Sequence, residues 1–240
     1  TISRGLRRSP ATQYLEPARK RANLTVLSGA EATGLVLDGK RCVGVRYRRF
    51  GALQEARASR EVIVSCGTIV SPKLLELSGI GRPEVLKAHG IEVRHALAGV
   101  GENLRDHFAP RMRYSVSERG IAYNDRARGI GFLMHCARWA LTGKGFMALP
   151  ASPMRAYFRS REGLAGPDVC TMLMPFLVGP NVKLDRKPGL TLIVHQLRPD
   201  SVGSIHIGSA DPRRPPAIKF NFLSSSIDRD ALVSAIGWTG

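Results

Sequence analysis

The side chains that could carry acid–base or metal chemistry are few and widely spaced. No HExxH or CxxC spacing of a common metal site is present, and no GxSxG nucleophile motif. Asp106-His107 lies on a loop-like stretch, where adjacent side chains seldom face each other. The sequence therefore predicts no metal site. The histidines and cysteines are His89, His95, His107, His135, His195, His206, Cys42, Cys66, Cys136 and Cys170.

A glycine turn between a predicted strand and a predicted helix is a candidate place for backbone groups to bind a ligand. Ser65–Thr68 is followed by Ser71-Pro72, which is typical of a chain that turns tightly into a helix. Backbone N–H groups at such a helix start can point at an anion or at the edge of a cofactor. A connection between a strand and a helix that binds no ligand fits the same residues. The residues alone favour this structural interpretation over a binding turn. Neither GxGxxG nor GxxxxGK[ST] is present.

The elements around this turn predict a compact α/β unit. Glu61–Cys66 is a mostly apolar run, typical of a strand covered on both faces in a parallel sheet. Ser71 is the predicted cap of the next helix, with Pro72 at its first position and Gly79 at its end. Asp38-Gly39 predicts a hairpin turn, because both residues adopt positive φ at little steric cost. The other predicted elements are helices over Ser9–Ala18 and Pro83–His89, and strands over Leu24–Leu27 and Gln54–Ala58.

The second half of the sequence predicts an antiparallel sheet with helices on one side. Arg111–Val116 alternates apolar and polar residues, as a half-buried strand does. Gly129–Leu141 has the spacing of an amphipathic helix and stops at Gly143. A further helix is predicted from about Ser226. The other predicted strands are Val169–Leu177, Leu190–Leu197, Ser204–Ile207 and Ile218–Asn221.

Composition limits the class of protein. The 240 residues are 43% hydrophobic, enough for a sizeable core, and no apolar run reaches the roughly 18 residues that span a membrane. Lys and Arg number 36 against 19 Asp and Glu, a net charge of +17. A basic binding module for nucleic acid or anionic lipid is one interpretation. The arginines are scattered, however, and form no basic helix or polybasic tail. We therefore expect a solvated charge and no nucleic-acid partner.

The ends of the sequence and its cysteines predict the setting of the chain. Thr1 opens it without a visible signal peptide, and Gly240 closes it a few residues after a helical pattern. Both ends look like cuts, so an internal fragment of a longer protein is expected. Four scattered cysteines fit reduced thiols rather than a disulfide framework. The expected location is cytoplasmic, with peripheral membrane contact left open.

One fifteen-residue stretch resembles a known family. Gly67–Gly81 looks like the second signature of the glucose–methanol–choline (GMC) oxidoreductases: two small residues, Ser-Pro, Leu-Leu and a closing Ser-Gly-Ile-Gly. Segments on both sides resemble family segments in the right order, including Asn23–Gly29, Gly101–His107 and Ser209–Pro212. One departure is Arg105, where relatives usually carry Gln. The resemblance spans nearly the whole chain and is similar in style to bacterial choline or aliphatic-alcohol dehydrogenases.

The resemblance implies an FAD-dependent enzyme that oxidises a primary alcohol, choline-like or aliphatic, by hydride transfer to flavin N5. It implies the fold class α/β plus α+β: the C-terminal half of an FAD-binding, Rossmann-like domain over 1–107, then a substrate-binding domain over 108–240 whose mostly antiparallel sheet covers the flavin ring. The electron acceptor would be a quinone or oxygen. A non-catalytic remnant of the family is the alternative.

The resemblance also implies a small set of site residues. Ala32 matches the position whose backbone contacts the adenine, and Gly67 and Thr68 match the turn that approaches the adenosine side of FAD. Val169–Leu177 is expected to line the substrate pocket. The catalytic pair of the family, a histidine with a second histidine or an asparagine, is expected in a C-terminal segment outside this sequence. The chain alone is therefore expected to be inactive and to lose FAD.

Overall fold

The computed structural model describes residues 2–179 and 183–239, a mixture of short helices and mostly antiparallel strands. The strands are β1 (Ile2–Ser3), β2 (Leu6–Arg7), β3 (Glu31–Asp38), β4 (Arg41–Arg49), β5 (Ala52–Arg57), β6 (Ile80–Gly81), β7 (His95–Ala96), β8 (Arg111–Ser115), β9 (Met154–Phe158), β10 (Val169–Met174), β11 (Gly189–Gln196), β12 (Ser204–His206) and β13 (Ala217–Lys219). The α-helices are α1 (Glu16–Ala18), α2 (Gly67–Leu77), α3 (Pro83–Ala88), α4 (Tyr123–Arg126), α5 (Gly129–Thr142) and α6 (Ser226–Gly237), joined by a π-helical turn over Ala11–Leu15 and a 3₁₀ turn over Phe146–Ala148. Among the described residues, no helix has the length and apolar character needed to cross a bilayer.

The chain divides into two compact units that are interleaved in sequence. The meander unit comprises Val26–Asp106 and Asp200–Ser224, and the sheet unit comprises Thr1–Thr25, His107–Pro199 and Ser225–Gly240. One division point lies within a residue of the boundary predicted after residue 107. The prediction of two consecutive segments does not capture the exchange of 1–25 and 200–224 between the units, because sequence patterns report local elements and not which elements pack together.

The meander unit is built on the predicted hairpin. β3, β4 and β5 form a three-stranded antiparallel meander, and Asp38 pairs with Arg41 across the turn, where Gly39 has a φ of 55°. Helix α2 packs on β3, with the side chains of Leu35 and Leu74 buried. The Ser78 hydroxyl links the two elements, because it accepts the Leu35 N–H at 2.8 Å and donates to the Leu74 carbonyl at 2.6 Å.

Two predicted strands of this half are wrong. Leu24–Leu27 and Glu61–Cys66 run without helix but pair with no strand among residues 2–179 and 183–239, and the Ile63 side chain is 76% exposed. An apolar run becomes a strand only when a neighbouring strand takes up its backbone hydrogen bonds. The runs therefore have the composition of strands but, within the described residues, not the pairing that a strand requires.

The sheet unit contains a four-stranded antiparallel sheet in the order β8-β11-β10-β9. These strands confirm the predictions over Arg111–Val116, Val169–Leu177 and Leu190–Leu197, with shifted ends. Helix α6 packs against β10 and β11, where the side chains of Val169 and Val194 are fully buried. The sheet and this helix form the apolar core of the unit.

Helices α3, α5 and α6 lie close to their predicted positions, whereas α4 was not predicted and the helix predicted over Ser9–Ala18 is α-helical only over Glu16–Ala18. α5 ends before Gly143, which adopts the left-handed conformation with φ 65° and donates its N–H to the Trp139 carbonyl. The Trp139 indole N–H donates to the Gly5 carbonyl at 2.8 Å, so the β1–β2 hairpin is tied to α5. Ser225 caps α6 by accepting the Ile227 N–H at 3.2 Å.

Candidate functional site

Helix α2 separates two cavities of the meander unit. Residues at one set of helical spacings line a cavity of about 600 Å³, and residues on the opposite face line one of about 400 Å³. The α2 residues that line the larger cavity are Thr68, Ser71, Pro72 and Leu75. Those that line the smaller cavity are Val70, Lys73, Leu74 and Leu77. The signature stretch therefore contributes a wall to both cavities.

The start of α2 lies five residues earlier than predicted. Cys66 is the residue before the helix, and Gly67 is its first residue with a φ of 82°, a conformation that favours glycine. Pro72 lies inside the helix, and Ser71 faces the larger cavity, so the prediction of Ser71 as the cap is wrong. A Ser-Pro pair fits a helix start in general, but the upstream glycine turn already begins the helix here.

The smaller cavity brings Ala32 close to the start of α2. Ala32 lies on β3 and Cys66 immediately precedes α2, and both line this cavity together with the apolar side chains of Val70 and Leu77. Lys73 lines it too, and its ammonium donates to the Pro212 carbonyl. Thr68 faces the larger cavity instead. Of the three predicted cofactor residues, the structure thus groups Ala32 with the residue before Gly67 and places Thr68 on the other side of the helix.

The larger cavity has a second wall formed by the loop Gly99–Arg105. The loop is held to the segment around β12 by three backbone hydrogen bonds: Ile205 N–H to the Gly101 carbonyl at 2.7 Å, and a reciprocal pair between Leu104 and Gly203 at 2.8 and 3.0 Å. Gly101 has a φ of 80°, and a Cβ there would lie 2.2 Å from the Ile205 carbonyl oxygen. Only glycine fits this close approach.

A chain of charged side chains lies behind these walls. Glu76 of α2 is fully buried; its Oε1 lies 2.7 Å from His206 Nδ1, and its Oε2 accepts the Ile207 N–H at 2.7 Å. His206 Nε2 lies 3.3 Å from Glu102 Oε1, which also accepts from Arg82 Nη1 at 2.8 Å. The hydrogen bond from Arg82 lowers the pKa of the Glu102 carboxyl, and the same bond raises the pKa of Arg82.

Sequence reasoning missed Glu76 and His206 as a pair. They are 130 residues apart, and neither belongs to a motif with a known spacing. The available signal is Glu76 itself, because it is an acidic residue in the otherwise apolar run Leu74–Leu77. A carboxylate at a position that the helix pattern assigns to the core needs a buried partner.

The sheet unit holds the other notable polar pair. His107 and His195 stack with ring centroids 4.3 Å apart and planes 18° apart. His195 is buried on β11, and this burial lowers its pKa. Its neighbour across the sheet, Cys170 on β10, is also buried, which raises the pKa of the thiol. Among residues 2–179 and 183–239, no three His, Cys, Asp or Glu side chains converge as a metal site would require.

Comparisons with known proteins agree with the resemblance. Residues 2–109 match the family described as GMC oxidoreductase. The chain is 36% identical over 234 residues to an oxygen-dependent choline dehydrogenase of Photobacterium profundum, covering 95% of this chain and 40% of that protein. It therefore spans about two fifths of the length of this curated relative.

Solved structures share the fold. A formate oxidase matches with a TM-score of 0.87 and 24% identity, over 99% of this chain and 46% of that one. A pyridoxine 4-oxidase from Mesorbium loti matches with a TM-score of 0.81 and 22% identity, over 99% of this chain and 43% of that one. The expected fold class, α/β plus α+β, is confirmed.

Proposed function

Because the chain belongs to the GMC oxidoreductase family, we propose that it is part of a flavoprotein that oxidises a primary alcohol, for which bound FAD supplies the hydride acceptor at N5. The observation that carries the proposal is helix α2, whose signature stretch begins at a left-handed glycine and lines two cavities. The curated relative named above is a choline dehydrogenase, which supports a choline-like or aliphatic alcohol as substrate. The electrons would pass on to oxygen or a quinone.

The residues of the meander unit fit the adenosine part of FAD. Ala32 would contact the adenine through its backbone, and the apolar side chains of Val70 and Leu77 suit a flat ring in the smaller cavity. Gly67 has open space where a Cβ would lie, which allows a ligand to approach the backbone. The N–H groups of the first turn, including that of Thr68, favour an anion.

The two units take the roles expected of the two domains. The meander unit holds the proposed cofactor residues, so we assign it to cofactor binding. The sheet unit would be the substrate-binding part, with Val169–Leu177 contributing to the pocket; Val169 and Cys170 are buried and the rest of β10 is half-buried. No residue of this chain is assigned the role of catalytic base. That role belongs to a part of the protein outside these 240 residues.

The high positive charge fits solvated arginines better than a nucleic-acid site. Several arginines of the described chain pair with nearby carboxylates, among them Arg82 with Glu102 and Arg113 with Asp185 at 2.8 Å each. The alternative, a basic module for nucleic acid or anionic lipid, predicts binding to duplex DNA or acidic vesicles that weakens steeply with added salt. We expect no nucleic-acid partner and a cytoplasmic protein, with peripheral membrane contact to be decided by the vesicle assay.

The test is flavin content. The protein encoded by the complete reading frame and the 240-residue chain would each be purified and scanned for absorbance near about 450 nm, where oxidised flavin absorbs. We expect stoichiometric FAD in the complete protein and none in the chain alone. A complete protein that binds no flavin when supplied with FAD would refute the function. Flavin retained by the chain alone would refute the expected dependence on further segments.

A further inference from the structure

We propose that Glu76 and His206 are positioning residues that fix the walls of the larger cavity, across α2 from the proposed adenine site, where the rest of FAD would lie, and thereby set how long the flavin stays bound. The flavin part of this proposal rests on the proposed function. Neither side chain would touch the cofactor; both act through the cavity walls.

Glu76 is a fully buried acid with both oxygens engaged. Oε2 accepts the Ile207 N–H and Oε1 meets His206 Nδ1, each at 2.7 Å. A buried carboxylate is costly unless it is hydrogen-bonded, and these two contacts meet that requirement. His206 is the last residue of β12 and Ile207 directly follows it, so the carboxylate fastens α2 to the end of that strand.

His206 carries the link onward to the loop. Nδ1 faces Glu76 and Nε2 faces Glu102, 3.3 Å from its Oε1. Each ring nitrogen of His206 therefore lies close to an oxygen of a different carboxyl group. Arg82, which precedes α3, completes the chain through Glu102 Oε1, and Glu84 of α3 lies 3.7 Å from its Nε. Acidic and basic side chains thus alternate along this network, in the order Glu76, His206, Glu102 and Arg82.

Three members of this chain line the larger cavity or directly follow a residue that does. Glu76 follows Leu75 of the α2 wall, and His206 follows Ile205. Glu102 is itself part of the loop wall. The network therefore joins three separate segments directly behind the surface that they share. Gly101 leaves the loop no space to shift towards β12, because a Cβ there would already overlap the Ile205 carbonyl.

The network predicts an effect on ligand residence beyond an effect on stability. If the walls separate, the backbone groups at the start of α2 and the loop no longer keep one spacing. Preorganised walls lower the cost of ordering a bound ligand, so loosening them raises the dissociation rate. The variants for the test are Glu76→Gln, which keeps size but removes the charge, His206→Gln, and the double variant. Glu84→Gln is the matched control, since Glu84 is exposed on the far side of Arg82.

The measurement is the flavin dissociation rate of the complete protein at a temperature where every variant is folded. We expect about a 10-fold faster rate in each single variant, the size of one lost charge-assisted hydrogen bond, and no change in Glu84→Gln. The double variant should release flavin no faster than the faster single variant, because both substitutions break the same link. Unchanged rates, or a lowered Tm with unchanged rates, would overturn the proposal, as would additive effects.

A second readout separates this proposal from the function on which it rests. Hydrogen exchange of the Leu104 and Ile205 amides, measured on flavin-free protein, should be faster in Glu76→Gln than in Glu84→Gln, while β3–β4 amides stay unchanged. If the complete protein binds no flavin, the proposed function fails, and the exchange data still decide whether the network fixes the loop. Equal exchange in both variants would overturn it.

Discussion

His107 and His195 stack face to face in the sheet unit, with ring centroids 4.3 Å apart. His195 lies in the strand β11 and pairs with Cys170 of β10, whereas His107 lies at the start of the unit's long central segment. The His195 ring is buried, whereas the His107 side chain is exposed. This arrangement makes the stability of the sheet unit depend on pH.

Acidification should destabilise the protein through His195. Burial lowers the pKa of His195, and the charges of His107 and Arg155 lower it further. The unfolded chain has the ordinary histidine pKa of about 6.5, so it takes up a proton first as the pH falls. The free energy of unfolding should therefore be constant above about pH 6.5 and decrease below it.

Urea unfolding at a series of pH values measures this dependence. His195→Gln should flatten the decrease between about pH 6.5 and 5, because the titrating ring is gone. His95→Gln, at an exposed position, is the control and should keep the wild-type slope. A His195→Gln profile identical to wild type would show that another group carries the acid sensitivity.

Leu86 should be a principal determinant of stability in the meander unit. Its side chain is fully buried, so Leu86→Ala should lower the free energy of unfolding by about 2–5 kcal/mol. Leu141→Ala removes the same atoms from a side chain that is 87% exposed. This variant should change the free energy of unfolding by less than about 0.5 kcal/mol. Denaturant unfolding monitored by circular dichroism distinguishes them, and similar losses would mean that Leu86 is not in a rigid core.

Gly101→Ala should lower the free energy of unfolding by more than the strain of its left-handed backbone conformation alone explains. Gly101 and Gly90 both have positive φ, 80° and 69°, but a Cβ at Gly90 meets nothing within 4 Å. Gly90→Ala should therefore cost only the left-handed conformation, about 1–2 kcal/mol. Gly101→Ala adds the overlap with the Ile205 carbonyl. Its loss of unfolding free energy should therefore be clearly larger than that of Gly90→Ala. Equal losses of unfolding free energy would argue against the close contact between loop and strand.

The proposed adenine site makes a prediction about Ala32. Because the proposed contact is made by the backbone, Ala32→Val should leave FAD affinity within a few-fold of wild type. Ala32→Phe should fill part of the smaller cavity and weaken FAD binding by about 10-fold or more, about 1.4 kcal/mol. Fluorescence titration of the flavin-free complete protein with FAD measures both. Equal affinities for wild type and Ala32→Phe would move the cofactor away from this cavity.

The sequence predicts what is determined locally. The hairpin at Asp38-Gly39 and the glycine that ends α5 depend on backbone preferences of a few residues, and both lie where predicted, although Asp38 belongs to β3 and the two turn residues are Gly39 and Lys40. The strand predicted over Arg111–Val116 is likewise found as β8, but its expected alternation is not, because Met112 is half-buried and Tyr114 is exposed. These signals need no knowledge of what lies across the fold.

Features that depend on distant residues could not be predicted in this way. Glu61–Cys66 has a strand composition but no paired neighbour among the described residues. The contact between Glu76 and His206 joins residues 130 positions apart. The grouping of Ala32 with the start of α2 could be proposed only through the family resemblance, since spacing alone does not bring β3 to α2. Pairing and long-range side-chain contacts are properties of the folded chain.

Anaerobic reduction of the flavin by alcohol tests the central claim most directly. The complete protein, loaded with FAD, would be mixed with choline or with a straight-chain primary alcohol in the absence of oxygen, and the absorbance near about 450 nm followed. We predict bleaching of the oxidised flavin band by at least one of these alcohols, with aldehyde formed in equal amount. A fully loaded, folded protein whose flavin stays oxidised with every alcohol tried would contradict the assignment and favour a non-catalytic member of the family.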